Sequence, residues 1–330
     1  MPKNYLLIDI YQNHNYDFIH DYIEVPIVEI KPSKAYNHKY KAWIVGCLKV
    51  IKCSSKNDTI ICVFDFQAVL CSLLCSLLFL KRKFICINIM LKDKDTFKNK
   101  IVSLLYKRAL KRKNFIATVT SPKYGEWLNR KFGTHVNFVL LHDVFHERYL
   151  HQYQADIKYS VFCGGWNGRD WKFMLDVARA MPDESFTLVM HTGVKEELNA
   201  EIPSNVNLLT SISSNQFYQL MCESALVCLP LNTEAPAGLL VFFHAAANKR
   251  MVITTDTVTT REYIGKDRGV GLKNNVDDWV TCIRHLLTDT KQRETYANNM
   301  LNFLKNECSE KSYVKVINKL ICDNELEEKN

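Results

Sequence analysis

Glycine and proline are scarce in this 330-residue chain, with 11 and 8 residues respectively. None of the glycines forms G-x-G-x-x-G after the first strand-like run, which argues against a nicotinamide-type dinucleotide enzyme. G-x4-G-K-[ST] is absent too, so the chain carries no P-loop. The 12 cysteines include no C-x2-C pair, and no histidine stands at ligand spacing from a cysteine pair, which removes zinc ribbons and dithiol redox motifs. Cys71 and Cys75 lie inside an apolar run, and Cys47, Cys62, Cys86, Cys163, Cys228 and Cys282 are scattered singly among hydrophobic residues. Such thiols behave as small buried hydrophobes in a reducing compartment, and the expected location is the cytoplasm. A membrane-spanning run of roughly 20 apolar residues is also missing. The longest, Phe66 to Leu80, lies between Asp65 and Lys81-Arg82-Lys83 and reads as a buried helix between two strands. The opening Met1-Pro-Lys-Asn-Tyr-Leu-Leu-Ile-Asp9 enters a strand-like run directly, without the apolar core and cleavage site of a secretory leader.

What is present is a charge asymmetry. The net charge of +8 divides into 24 Lys+Arg against 12 Asp+Glu over residues 1–150, and 19 against 23 over the remainder. Halves of opposite sign fit two domains with different partners. The basic half suits a membrane surface, an acidic glycan or nucleic acid, or is the solvated face of a lysine-rich protein. Its cations are not interleaved with aromatics in an RNA-binding pattern.

Short runs rich in Ile, Val and Phe at Tyr5–Ile10, Thr59–Phe64, Phe84–Ile89, Ile116–Thr120 and Asn137–Leu141 predict strands. Helical periodicity fits 39–50, 67–80, 98–112 and 122–132, the last with Ser121 as N-cap and Pro122 at the first helical position. The alternation breaks between Leu141 and Ala155 and then resumes. Strands are predicted at 159–163, 186–190, 206–209, 225–229 and 251–254, and helices at 170–180, 214–223 and from Val276 onward. Alternating strands and helices imply parallel sheets covered on both faces. The expected architecture is α/β, with two Rossmann-like, doubly wound domains at 1–150 and 151–330. Glu325–Asn330 reads as a charged tail.

In such sheets ligands bind outside the carboxyl ends of the strands. Three places in the second half carry suitable residues. In Cys163-Gly-Gly-Trp-Asn-Gly-Arg-Asp-Trp-Lys172, the backbone at Gly164, Gly165 and Gly168 can approach a ligand closely, and Arg169 and Lys172, three apart on an opening helix, are placed to clamp a diphosphate. His191, in Val189-Met-His-Thr-Gly193, offers a small polar turn for ribose or sugar hydroxyls. In Thr233-Glu-Ala-Pro-Ala-Gly-Leu-Leu-Val-Phe-Phe-His-Ala-Ala-Ala247, the pair Ala237-Gly238 opens a helix whose first N–H groups form an anion site.

This last stretch, continued through Met251-Val-Ile-Thr-Thr-Asp256, resembles the donor segment of family 4-like glycosyltransferases of the GT-B fold, written E-x7-E or A-G-x5-E-A-M-A-x-G-x-P-V. Thr260-Arg-Glu-Tyr-Ile264 is similar to the family's G-T-x-E-Y-I. The resemblance covers residues 158–320 in order and spacing, and the first half in architecture only. It implies two domains facing a cleft. It implies Arg169 and Lys172 as the catalytic cations that neutralise a leaving diphosphate. The donor would be held by Gly164, Gly165, His191, Ser211, Ile212, Glu234, Ala237, Gly238, Leu239 and His244, with neither metal nor cofactor. Histidine at 244 departs from the family's second glutamate. In the first half no glycine-rich loop follows the first strand, and Asn88-Ile-Met90 ends the third where many relatives have a histidine; Asp9, His14, Asp65, Asn88 and Glu126 are the polar candidates there. The implied activity is sugar transfer from a nucleotide diphosphate to a glycan or lipid-linked acceptor in surface polysaccharide synthesis. Retention of anomeric configuration is the family expectation. The implied location is cytoplasmic, with peripheral contact at the inner face of an anionic membrane. Alternatives are an inverting GT-B enzyme with a base in the first half, or a non-catalytic basic binding protein.

Overall fold

A computed structural model describes residues 2–8, 16–31, 39–91, 96–150 and 155–323. The chain forms two compact units, residues 1–144 with 308–330, and residues 145–307. The sequence pattern places residues 308–330 with the second half, whereas the structure puts them with the first. The Glu310–Cys322 helix instead buries Tyr313, Val314, Ile317 and Leu320 in the core that holds Leu6, Ile61 and Ile85. Its four apolar positions recur at helical spacing, so one stripe is removed from water while the other face stays wet.

The first unit contains β1 (Asn4–Leu7), β2 (Ile27–Ile30), β3 (Thr59–Cys62), β4 (Lys83–Cys86), β5 (Phe115–Val119) and β6 (Val139–Leu140), in the order β2-β1-β3-β4-β5-β6. The second contains β7 (Tyr159–Gly164), β8 (Phe186–Met190), β9 (Val206–Thr210), β10 (Ser224–Leu229), β11 (Met251–Thr255) and β12 (Val270–Leu272), in the order β12-β11-β10-β7-β8-β9. All pairings in both sheets are parallel. These are two doubly wound, Rossmann-like units, as expected. Every residue of β3, β4, β5, β8 and β10 is buried, which is why these strands read as continuous apolar runs without alternation.

Connectivity places the crevices. In the second sheet the chain runs from β7 through β8 to the β9 edge, then returns to lay β10 beside β7. The loops after β7 and β10 therefore diverge to opposite sides, and a switch point opens between them. In the first sheet the corresponding point lies between β1 and β3.

Local chemistry sets the ends of elements. Pro122 occupies the first turn of the Pro122–Phe132 helix, and Gly133 closes it at φ 58°. Ser121 is its N-cap residue by position, but its side chain makes no capping bond. The apolar run after Asp65 forms the Asp65–Leu77 helix, burying Ala68, Val69, Cys71 and Cys75 on one face. No described helix is long and apolar enough to cross a membrane.

Candidate functional site

The loop after β7 is built around one cation. Gly165 (φ 118°) and Gly168 (φ 68°) take backbone conformations that side-chain-bearing residues avoid. Between them the chain turns so that Arg169 folds back, its Nε donating to Gly164 O at 2.9 Å and its Nη1 to Asn167 O at 3.1 Å. A Cβ on Gly165 would stand 2.6 Å from Nη2, and one on Gly238 would stand 3.1 Å from Nη1. The guanidinium thus fills the space that two glycines leave. Arg169 is 5% exposed, and burial pulls its pKa down. Among the described residues no carboxylate pairs with it. A cation this deeply desolvated without a counter-charge is costly to the unliganded protein.

Arg169 and Lys172 do not share a helical face. The helix spans Trp171–Arg179, capped by Asp170, whose carboxylate accepts from Phe173 N at 3.2 Å. Arg169 precedes that cap, paired across an antiparallel bridge with Leu231. Lys172 points into solvent.

Beside the guanidinium is a cavity of about 410 Å³ at the switch point. Of the residues expected from sequence, it brings together Gly165, Arg169, His191, Ser211, Ile212, Gly238 and His244. Gly164, Lys172, Glu234, Ala237 and Leu239 lie outside its lining. Gly164 has a packing role, since a Cβ there would stand 2.6 Å from the Phe217 ring. The Glu234 carboxylate accepts from Val258 N at 2.8 Å and ties the loop after β10 to the Thr260–Ile264 turn. Ala237 is buried against Gly168, and Leu239 packs in the core.

Gly238 (φ 81°) begins the Leu239–Ala247 helix with no side-chain cap, and the first turn, with Leu240 and Val241, borders the cavity. Uncapped N–H groups and the helix dipole face the same space as the buried cation. His191 accepts from Gly193 N through Nδ1 at 3.2 Å and meets the Trp166 ring edge-on at 5.4 Å. Ser211 (φ 56°) shares a hydroxyl hydrogen bond with Thr192 at 2.8 Å, and Ser213 forms a reciprocal capping box with Gln216.

His244 is 3% exposed and stacks on Tyr218 at 3.8 Å between ring centroids, with Tyr149 at 4.2 Å on tilted planes. Burial, aided by nearby Arg148 and His146, pushes its pKa down to about 4. The ring is therefore neutral at pH 7. Its Nδ1 is buried without a partner.

Sequence reading missed Trp166, Asn167, Phe217, Tyr218, Leu240 and Val241 in the lining. Trp166 carried a signal, an aromatic between glycines in the loop after β7. Phe217 and Tyr218, on the Ser214–Cys222 helix, read only as amphipathic helix residues.

In the first unit, polar groups cluster at the carboxyl ends of β3 to β6. Asp65 is buried and accepts from Met90 N and Phe66 N, both at 2.8 Å, while burial raises its pKa. Asn88 (φ 38°) donates through Nδ2 to Asp143 at 2.9 Å and exchanges bonds with Thr118. Asp143, not singled out by the sequence, is pushed up to about 6 by burial. Glu126 is an exposed partner of Lys123. Asp9 and His14 lie outside the described residues. Among the described residues no cluster of three or more His, Cys, Asp or Glu is placed to hold a metal. The one D-x-D string, Asp93-Lys94-Asp95, lies outside them.

No sequence-family model matches the chain, and no curated protein does. Its structure is similar to solved ones over nearly its whole length. HepE from Anabaena, solved with UDP and glucose, is 13% identical with a TM-score of 0.66, covering 97% of this chain and 98% of that one. Sucrose-phosphate synthase from Thermosynechococcus elongatus is 11% identical with a TM-score of 0.70, covering 96% and 98%. WaaG, a glycosyltransferase involved in lipopolysaccharide biosynthesis, is 13% identical with a TM-score of 0.60, covering 97% and 100%. With its two parallel six-stranded sheets and these full-length likenesses, the chain has the GT-B glycosyltransferase fold.

Proposed function

We propose that the chain is a glycosyltransferase that takes its donor, a nucleoside diphosphate sugar, in the cavity of the second unit. One observation carries this reading. Arg169 is a buried guanidinium without a carboxylate partner among the described residues, held against two glycines at the switch point and facing an uncapped helix start. A diphosphate supplies the missing counter-charge, and charge developing on it as the sugar departs is met by a cation already in place. Ser211, Ile212 and Ser213 border the cavity, and by the family resemblance this stretch holds the base. His244 keeps a donor-facing role in this reading. Its neutral ring lies in the cavity lining with Nδ1 enclosed and unpartnered, so it offers the ligand fewer hydrogen bonds than a glutamate would. Lys172 has no place in the clamp.

The acceptor under this proposal is a glycan or lipid-linked sugar of surface polysaccharide synthesis, a reading supported by the likeness to WaaG, which is involved in lipopolysaccharide biosynthesis. The UDP and glucose seen in HepE support the donor class. Retention of configuration follows from the family resemblance. Asp143 favours a second reading, since a carboxylate near 6, oriented by Asn88, is suited to general-base work in an inverting reaction. The anomeric configuration of the first-formed product, followed by NMR, decides between them.

Thermal unfolding with UDP, GDP, CDP and ADP and their sugar conjugates tests the proposal. At about 100 times its dissociation constant, the cognate nucleotide stabilises the fold by roughly 2.7 kcal/mol. An unchanged melting temperature with every member of that set removes the enzyme reading.

A further inference from the structure

The lining of the donor cavity also bears on which pentose the nucleotide carries, a deduction that rests on the donor reading above. Among the described residues that lining contains no aspartate or glutamate. A carboxylate is the usual reader of a ribose diol, because its oxygens accept from the hydroxyls directly. Glu234, on the loop after β10, lies outside the lining, and its carboxylate accepts from Val258 N.

With a diphosphate at Arg169 and the Gly238 helix start, the pentose comes next along the cavity. His244 follows Gly238 on the same helix, about 9 Å further along its axis. Leu240 and Val241, four and three residues before His244, share its helical face and border the same space. Phe217 and Tyr218 complete this wall from the Ser214–Cys222 helix. His244 itself offers a pentose little. Packed against Tyr218 and Tyr149 and enclosed at Nδ1, the ring is left with Nε2, which makes one hydrogen bond. On the β9 side the hydroxyls are engaged in turns, Ser211 with Thr192 and Ser213 with Gln216. A 2′-hydroxyl set against Leu240, Val241 and Phe217 gives up water without gaining a partner, whereas a 2′-methylene suits such a wall.

We infer that the cavity does not read the 2′-hydroxyl, so that it takes 2′-deoxynucleoside diphosphates and their sugar conjugates, thymidine-type donors included, at least as readily as the ribonucleoside ones. The single bond from His244 Nε2 then goes to the 3′-hydroxyl, which both classes keep. A site built to bond a hydroxyl rejects the analogue lacking it steeply. This wall, with one imidazole nitrogen for two hydroxyls, is not such a site.

The test is calorimetric titration of the full chain with UDP and dUDP, GDP and dGDP, CDP and dCDP, and ADP and dADP, pairs whose members differ by one oxygen. For the base that binds most tightly, the deoxy form binds the wild type within about threefold of the ribo form, or more tightly. His244→Glu supplies a diol reader and moves the preference toward the ribo form by about tenfold or more. His244→Gln adds an acceptor while keeping the site neutral, and moves it the same way by a smaller factor. The melting temperature of each unliganded variant shows that it folds, and the glutamine variant carries the comparison where the buried glutamate does not. A wild-type preference for the ribo form beyond about threefold overturns the inference. So does an unchanged ratio in a folded His244→Gln protein. Failure of all these nucleotides to bind is a different result, which removes the donor reading itself and the inference with it.

Discussion

Replacing Arg169 with glutamine should move stability and binding in different ways. In the unliganded protein the guanidinium is buried, donates to Gly164 O and Asn167 O, and has no carboxylate partner among the described residues. Glutamine retains an amide donor for these carbonyls and removes the uncompensated charge. The loss of one hydrogen bond, about 1 kcal/mol, is opposed by relief of the desolvated charge. The apo protein should therefore change by no more than about 1 kcal/mol. Binding should suffer far more. A charge-assisted hydrogen bond is worth about 1.5–3 kcal/mol, and at an effective dielectric of 20 a charge pair 4 Å apart attracts by about 4 kcal/mol before desolvation is subtracted. A net loss near 2.7 kcal/mol corresponds to a roughly 100-fold weaker nucleotide. At a ligand concentration that gives the wild type about 2.7 kcal/mol of stabilisation, the variant should gain only about 0.4 kcal/mol. Chemical denaturation with and without the cognate diphosphate reads both quantities in one experiment. If Arg169→Gln keeps the full ligand increment, the buried cation is not a diphosphate site. If it unfolds the apo protein, the guanidinium is structural.

Three further substitutions bear on the same site. Lys172→Ala, at an exposed position outside the cavity, should keep donor affinity within about threefold by calorimetry; a 100-fold loss would restore it to the clamp. Gly238→Ala places a Cβ 3.1 Å from Arg169 Nη1 at φ 81°, so it should cost about 1–2 kcal/mol in stability and weaken nucleotide binding; unchanged binding would mean the guanidinium has room to spare. His244 titrates near 4 in the fold, against an ordinary value of about 6.5. Its depressed pKa contributes stability above pH 6.5 that is lost as pH falls toward 4. The wild type should therefore lose about 2 kcal/mol more than His244→Phe between pH 7 and pH 4.5, and equal pH dependence of the two would show that the ring is charged or solvated.

The architecture was legible in the sequence because its strands are buried on both faces and so read as unbroken Ile, Val and Phe runs between periodic helices. What escaped was marginal in the same physical terms. β2 follows Val25-Pro26, sits at a sheet edge and is half exposed, so its pattern is weak. β12 is a three-residue edge strand. The C-terminal helix showed its amphipathic stripe but not which unit would bury it, because a stripe does not name its partner. The same limit governs the site. Arg169, Gly165 and Gly238 stood out because glycines near a cation imply close backbone approach. Tyr218 was invisible, since an aromatic on an amphipathic helix is ordinarily core, and only the fold sets its ring against His244. Lys172 was misplaced by a boundary: moving the helix start from Asp170 to Trp171 left Arg169 in the loop and broke the shared face. Asp143 lay in a stretch without period, and its environment is made by Asn88 from another strand end.

Amide hydrogen exchange of the full chain, with and without the diphosphate that most raises its melting temperature, tests the central claim most directly. The account predicts slowed exchange at Gly165–Asn167, at Ser211–Ser214 and at Leu240–Val241, three segments that border the cavity after β7, β9 and β10, with no comparable change along the Phe97–Leu110 helix. Protection confined to the first unit, or none at any of these segments with a saturating diphosphate, would contradict it.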